Sequence, residues 1–221
     1  MPLCCDNRSI MIRSKILVGL EDHGRRMSLE DFADAEGKPG YRYELARGRV
    51  VVVDIPGLPH ELTLQNIELP LRRYQLDHPD TIHLIAPGSG CALRLPGMSS
   101  ERHPDRAVYL TPPPDEEQPW DYWMPDLAIE VVSKGGEVRD YEEKREEYLA
   151  AGVREYWIVE PRDRSVLVLT RRADVWAERK LTSADVLRTA LLPGFEVRVA
   201  DLFKLPQAPA KKRRRNGRKD R

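Results

Sequence analysis

The sequence predicts an α/β fold in which helices cover a β-sheet on both faces. The central observation is the stretch from Pro125 to Pro161, which reads as a strand, a loop, a helix and a second strand. Such a unit is typical of a crossover, whose sheet is normally covered on both sides. Apolar spacing over residues 58–76 indicates a further helix, and alternating patterns after residue 161 indicate further strands.

Local signals place the other elements along the chain. Ser28 and Asp31 should cap a short helix over residues 27–35. The helix over residues 58–76 should bend near Pro70, whose ring interrupts the backbone hydrogen bonds. Strand patterns cover residues 41–45, 49–55, 81–86, 91–95, 106–110, 126–132, 155–160, 165–170 and 175–179.

A proline-rich connection before residue 126 holds Trp120, Tyr122 and Trp123. Aromatic rings in such a loop can stack on nucleic-acid bases. They can also cover the edge of a core, and this is the role that we expect for them.

Charge is distributed unevenly along a chain whose net charge is zero. The segment from Lys211 to Arg221 has eight basic residues and one acidic residue, so it carries +7 and the rest of the chain −7. We predict a poorly ordered N-terminal extension over residues 1–26, one domain over 27–205, and a disordered basic tail over 206–221. Such a tail suits contact with nucleic acid and simple solubilisation equally well.

The cysteines and the early apolar residues exclude several classes of protein. Cys4, Cys5 and Cys91 form no paired framework, and no Cys/His spacing suits zinc. The apolar run over residues 10–20 is interrupted by charged residues and is too short to span a bilayer. We therefore expect a cytoplasmic protein without a membrane segment.

Two acids on the strand over residues 126–132 should share one buried face. Because side chains alternate along a strand, Asp126 and Glu130 lie on the same side as Ala128 and Val132. The two acids are about 13 Å apart at the rise of a strand, too far to share one ion. We therefore interpret Asp126 as a structural residue at the strand entrance.

The helix that follows should bring a lysine to this face. We expect it to begin at Asp140, with Glu143 completing a capping box, and to end at Gly152. Lys144 lies on the stripe that faces the sheet, where an ammonium needs a carboxylate partner. One lysine with one acid would be an ordinary buried salt bridge, whereas several acids around one lysine favour a functional site.

Four parts of the chain share the signature of a known family. They read RYELARGRVV, HPDRAVYL, PDLAIEVVS followed by YEEKREEYLAAGVREYWIVEP, and LLPGFEVRVADLF. These segments resemble the Uma-two family of endonucleases, a branch of the PD-(D/E)XK nuclease superfamily. The resemblance covers roughly residues 28–203. It implies a restriction-endonuclease-like core with a central mixed β-sheet flanked by helices.

The resemblance also implies a metal site. The family's metal-binding aspartate matches Asp105 and its second acid matches Glu130, and the backbone carbonyl of Val131 is a further candidate ligand. The superfamily places a lysine two residues after the second acid, but this chain has Val132 there. In this family the lysine looks relocated to the next helix, where Lys144 stands.

Three more residues have candidate roles. Glu44 matches an acid on the family's N-terminal element and would complete the metal shell or bind a second ion, and His60 matches a histidine at the start of its long helix. Lys134 follows Ser133 where the family often has proline, and it alternates onto the side of Glu130. Lys134 therefore competes with Lys144 for the role of catalytic lysine.

These observations favour an endonuclease that uses magnesium or manganese to hydrolyse phosphodiester bonds in DNA. Lys144 would orient or deprotonate the attacking water, or steady the developing charge. Two alternatives stay open: a non-catalytic relative that binds nucleic acid, and a metal-dependent hydrolase of small phosphate esters. The sequence also leaves open whether the protein is a homodimer.

Overall fold

The structure is a computed structural model and describes residues 15–205. The predicted basic tail and residues 1–14 of the predicted N-terminal extension lie outside the described residues. No helix within residues 15–205 combines the length and the apolar character needed to cross a bilayer.

Residues 15–205 contain fourteen β-strands and four α-helices. The strands are β1 (Leu17–Val18), β2 (Glu36–Gly37), β3 (Tyr41–Ala46), β4 (Arg49–Asp54), β5 (Leu84–Pro87), β6 (Leu93–Leu95), β7 (Ser100–Arg102), β8 (Arg106–Tyr109), β9 (Leu127–Val131), β10 (Glu155–Glu160), β11 (Ser165–Arg172), β12 (Val175–Leu181), β13 (Val186–Arg188) and β14 (Glu196–Arg198). The α-helices are α1 (Leu29–Ala33), α2 (Leu58–Asp77), α3 (Lys144–Ala151) and α4 (Val199–Leu202).

A mixed sheet of six strands, in the order β12-β11-β10-β9-β8-β5, forms the centre of the fold. Within this sheet β9 and β10 form the one parallel pair, and α3 lies in the crossover between them. One face of β9 packs on the core that includes α2, through Leu127, Ile129 and Val131. The other face, with Ala128, packs on the core that includes Tyr148 of α3. The predicted α/β class with a central mixed sheet flanked by helices is confirmed.

A second sheet of four antiparallel strands has the order β4-β3-β7-β6. Its strand β7 contacts α3 through hydrogen bonds to Glu147. The β3–β4 hairpin was predicted from its flanking apolar patterns. Strand β7 was not predicted, because Ser100, Glu101 and Arg102 show no apolar alternation. All three residues are buried, since their polar groups bind partners inside the protein.

Residues 15–26, which we expected to belong to a poorly ordered extension, pack against the domain instead. Strand β1 pairs in parallel with β2. Val18 is 1% exposed and lies in a small core with Phe32 and Leu45. Burial of this side chain stabilises a segment too short to show a periodic pattern.

The helix that carries Lys144 begins earlier than its predicted cap. Helical structure starts at residue 137, and a π turn over Arg139–Glu143 leads into α3. Asp140 therefore lies inside the helix and is not its N-cap. Its buried carboxylate faces cations, and this interaction replaces the capping bond that the sequence suggested. The predicted end is confirmed, because Gly152 follows Ala151 with φ of +89°.

The aromatic residues before β9 cover one edge of the core, as we expected. The Trp123 ring lies 4.1 Å from the Tyr109 ring, and Trp120 stacks on Trp123 at 5.7 Å between ring centroids. Tyr122 stays 68% exposed.

We predict that Gly152→Ala lowers the free energy of unfolding by about 1 kcal/mol, because an L side chain disfavours positive φ. The nearest atom to a Cβ there is Nη1 of Arg171 at 3.8 Å, so the cost comes from the backbone and not from a clash. Urea unfolding measures the change. Gly97→Ala is the matched control, because Gly97 lacks positive φ and has open space around a Cβ. Equal stability of both variants would contradict the prediction.

Candidate active site

Lys144 lies at the point where both sheets and α3 meet. Its Nζ is 2.8 Å from Oε1 of Glu130 on β9 and 3.1 Å from Oε1 of Glu44 on β3. Asp140, one helical turn before the lysine, lies 3.8 Å from the same Nζ. All four side chains are almost fully buried. The structure thus brings together three acids and the lysine that the helical stripe placed against the sheet.

Asp105 precedes β8 and lies beside Glu130. The backbone N–H of Asp105 donates to Oε2 of Glu130 at 3.4 Å, and the N–H of Val131 donates to Oδ2 of Asp105 at 2.9 Å. His60, at the start of α2, places Nε2 at 3.0 Å from Oδ2 of Asp105. Arg42 of β3 donates to Oδ1 of Asp105 at 3.0 Å. Two carboxylates on neighbouring strands therefore share one buried space.

Cations keep two of the four acids ionised. Burial acts to raise the pKa of Asp105, but its hydrogen bond to His60 and the charges of His60 and Arg42 lower it well below the usual value. Burial likewise opposes ionisation of Glu44, yet the charges of Lys144 and Arg102 lower its pKa to about 2. Both side chains are therefore carboxylates at neutral pH.

Glu130 behaves in the opposite way. Burial raises the pKa of Glu130 to about 7, and the nearby carboxylates of Asp105 and Asp140 act in the same direction against the charge of Lys144. Burial also raises the pKa of Asp140. Burial acts to lower the pKa of Lys144, but Glu130 and Glu44 outweigh it, so the pKa is raised and the amine stays charged. The single ammonium thus faces more carboxylates than it can neutralise.

Arg102, at the end of β7, joins the elements of the site. Its fully buried guanidinium donates to Oε2 of Glu147 at 2.6 Å and to Oε2 of Glu44 at 3.1 Å. It also donates to Glu143 at 3.1 Å. Because Glu143 and Glu147 flank Lys144 along the helix, Arg102 holds the helix and Glu44 together.

Two of the candidate residues lie apart from this cluster. Asp126 accepts hydrogen bonds from the Leu110 N–H and from Arg154, both at 2.8 Å, in agreement with a structural role at the strand entrance. Lys134 is exposed in the turn before the helix and forms no ion pair with residues 15–205. Only Lys144, of the two candidate lysines, contacts Glu130.

Several residues of the site were missed by sequence reasoning. Arg42 lies two residues before Glu44 and so on the same face of the strand, a signal that could have identified it. Glu147 lies three residues after Lys144 and so near it on the helix surface, which is a signal that could have identified it. Tyr148 follows Lys144 by one helical turn, but no sequence pattern indicated the hydrogen bond of 2.8 Å that its hydroxyl donates to Glu130. No sequence pattern pointed to Arg102.

A cleft of about 280 Å³ leads to the cluster from the side of the β3–β4 hairpin. Arg42, Glu44 and His103 line it beside the turn that contains Gly88 and Ser89. The cleft gives a ligand access to Arg42 and Glu44, at one side of the buried cluster.

The carboxylates of the cluster supply part of the ligand set that a divalent cation needs. Within the described part of the chain, no group of three or more His, Cys, Asp and Glu side chains is arranged to hold a metal ion. Asp105 and Glu130 nevertheless supply adjacent hard oxygen donors, and Oε2 of Glu130 receives only the long bond from Asp105. Two carboxylates suit magnesium, which keeps several waters in its shell.

We predict that Glu130 makes folding stability depend on pH. Its pKa is about 7 in the folded protein, against an ordinary pKa of about 4.5 for an exposed glutamate, so between these values the folded state binds more protons than the unfolded state. The free energy of unfolding contributed by this group therefore falls as pH rises from about 4.5 to 7, by a few kcal/mol at most. Urea unfolding of the unaltered protein and of Glu130→Gln at pH 5, 6, 7 and 8 isolates the effect, since Gln does not titrate. Parallel curves for the two proteins would contradict it.

Comparisons with known proteins agree with this architecture. Residues 29–200 match the family described as "Uma2: Putative restriction endonuclease". The chain matches none of the curated proteins with which it was compared. Among solved structures it is similar to a crystal structure of a "putative nuclease belonging to DUF820" from Anabaena variabilis, with a TM-score of 0.65 and 14% identity. That match covers 80% of this chain and 97% of the other. The chain therefore belongs to the Uma2 family of restriction-endonuclease-like proteins, as the four sequence segments indicated.

Proposed function

We propose that the protein is a metal-dependent endonuclease that hydrolyses phosphodiester bonds in DNA. The observation that carries this proposal is the convergence of Asp105, Glu130 and Lys144 from β8, β9 and α3. Membership of the Uma2 family supports a nucleic-acid substrate. Asp105 and Glu130 would hold magnesium or manganese with the carbonyl of Val131, and the ion would stabilise the charge that develops on the phosphate.

Lys144 would act as a charged donor rather than as a base. Its pKa is raised by Glu130 and Glu44 despite burial, so the amine keeps its proton at neutral pH. An ammonium in this place can donate a hydrogen bond to the attacking water or to a phosphate oxygen. Glu130 holds Nζ at 2.8 Å and so fixes the direction of that bond.

Glu44 and His60 would position the reacting groups. Both oxygens of Glu44 are engaged, one by Lys144 and the other by Arg102. This pairing favours a role in placing the lysine over the role of metal ligand that we considered for Glu44. His60 contacts Asp105 through Nε2, while its buried Nδ1 makes no hydrogen bond within residues 15–205. His60 would therefore orient the Asp105 carboxylate.

A second candidate function is binding of nucleic acid without cleavage. Asp105, Glu130 and Glu44 each contact a cation of the protein, and such a cluster can persist as a structural ion-pair network.

Nicking of supercoiled plasmid with magnesium or manganese tests the proposal. We expect Glu130→Gln and Lys144→Met to lower the cleavage rate by about 100-fold or more, since each removes a charge at the reacting centre. Lys134→Met is the matched control and should cut at the unaltered rate. Circular dichroism and urea unfolding of each variant show that lost activity is not lost folding.

Three outcomes would contradict the proposal. Cleavage that persists in Lys144→Met and vanishes in Lys134→Met would assign the role to Lys134. Metal-independent binding of DNA without cleavage would favour the non-catalytic relative. Hydrolysis of small phosphate esters without cleavage of DNA would favour a metal-dependent hydrolase of such esters.

A further inference from the structure

Arg42 differs from the other cations of the site in its exposure. Lys144 and Arg102 are almost completely buried, whereas the Arg42 side chain is 32% exposed and lines the cleft. Within the described residues its guanidinium makes one hydrogen bond, to Oδ1 of Asp105 at 3.0 Å. A guanidinium has five N–H donors, so most of this donor capacity is available for another acceptor.

We propose that Arg42 exchanges partners during the reaction. It neutralises Asp105 while no metal is bound, and it binds a phosphate of the DNA backbone in the cleft once a metal has taken its place. This inference rests on the proposed nuclease function and adds a residue that contacts the substrate.

The contacts of Asp105 indicate which partner would leave. Oδ2 is held by the Val131 N–H, which belongs to the sheet, and by His60, whose side chain is 9% exposed. Oδ1 is held by Arg42, the most exposed of the three groups. A divalent cation and a guanidinium beside the same carboxylate also repel each other. Arg42 is therefore the partner that a metal displaces most readily from Asp105.

The cleft leaves Arg42 open to a ligand beside Glu44, a second residue of the site. Its walls include Tyr41, Ser89 and His103. A Cβ on Gly88 would lie 2.9 Å from the Pro104 carbonyl oxygen and 3.5 Å from Nη1 of Arg42, so glycine keeps the space around the guanidinium open. The planar fork of arginine matches the oxygens of a phosphate group better than an ammonium does. Released from Asp105, Arg42 would remain within the cleft and present these donors to the DNA backbone.

Two measurements on the full chain separate this role from a purely structural one. The variants are Arg42→Met, which removes the charge, and Arg42→Lys, which keeps it without the fork. Arg154→Met is the matched control, because Arg154 also makes one hydrogen bond to an acid, Asp126, at 2.8 Å but lies apart from the cluster. The first measurement is calorimetric titration with manganese alone, and the second is kcat/KM for cleavage of duplex DNA.

Arg42→Met should bind manganese about tenfold more tightly, because a competing positive charge is gone. The same variant should lose about 10- to 100-fold in kcat/KM, mainly through a higher KM, because a charge-assisted phosphate contact is lost. The kcat/KM of Arg42→Lys should lie between the values of Arg42→Met and of the unaltered protein. Arg154→Met should match the unaltered protein in both measurements. The opposite signs of the two effects identify the exchange.

Other combinations would overturn the proposal. Weaker metal binding together with weaker cleavage would assign Arg42 a structural role. Tighter metal binding with unchanged or faster cleavage would show that Arg42 only neutralises Asp105 and makes no contact with phosphate. Variants that equal an active unaltered protein in both measurements would refute the exchange and leave the nuclease standing. An unaltered protein that neither binds manganese nor cuts DNA would refute both the exchange and the nuclease.

Discussion

The whole site depends on one buried ammonium. Lys144 is the only cation that contacts Glu44, Glu130 and Asp140 together among residues 15–205, and these acids come from a hairpin, the central sheet and a helix. A lone charge in such a place would be strongly destabilising, so the three elements must meet in one arrangement to satisfy it. The interaction that disfavours any other packing is the same one that assembles the candidate chemical groups.

Lys144 shares this buried space with four acids and three arginines, and their arrangement gives the site its chemical character. Burial raises the pKa of Glu130, and the neighbouring carboxylates act in the same direction, whereas the pKa of Asp105 falls. The difference between two neighbouring acids arises from their partners, because Asp105 contacts His60 and the guanidinium of Arg42. Under the proposed function a divalent cation would join these carboxylates, and membership of the Uma2 family agrees with the nuclease part of that proposal.

The sequence predicts the parts of this arrangement that follow from local periodicity. Strand alternation places Glu130 on the face opposite Ile129, and the helical stripe places Lys144 against it. The positive φ that ends the helix follows from Gly152. Charged residues without a pattern were not predictable in this way. Arg102 is buried because it pairs with Glu44, which is distant in the chain. Asp140, which the sequence suggested as an N-cap, is buried because it pairs with cations.

The contacts of Arg102 also bear on how the protein folds. Arg102 is 58 residues from Glu44 and 45 residues from Glu147 along the chain, so its hydrogen bonds close two long loops. Closing such loops costs chain entropy before any contact compensates for it, and topologies of this kind fold slowly. The charges of the site therefore come together only after the hairpin and the central sheet have docked. A chain in which these elements have not yet docked would therefore lack the site.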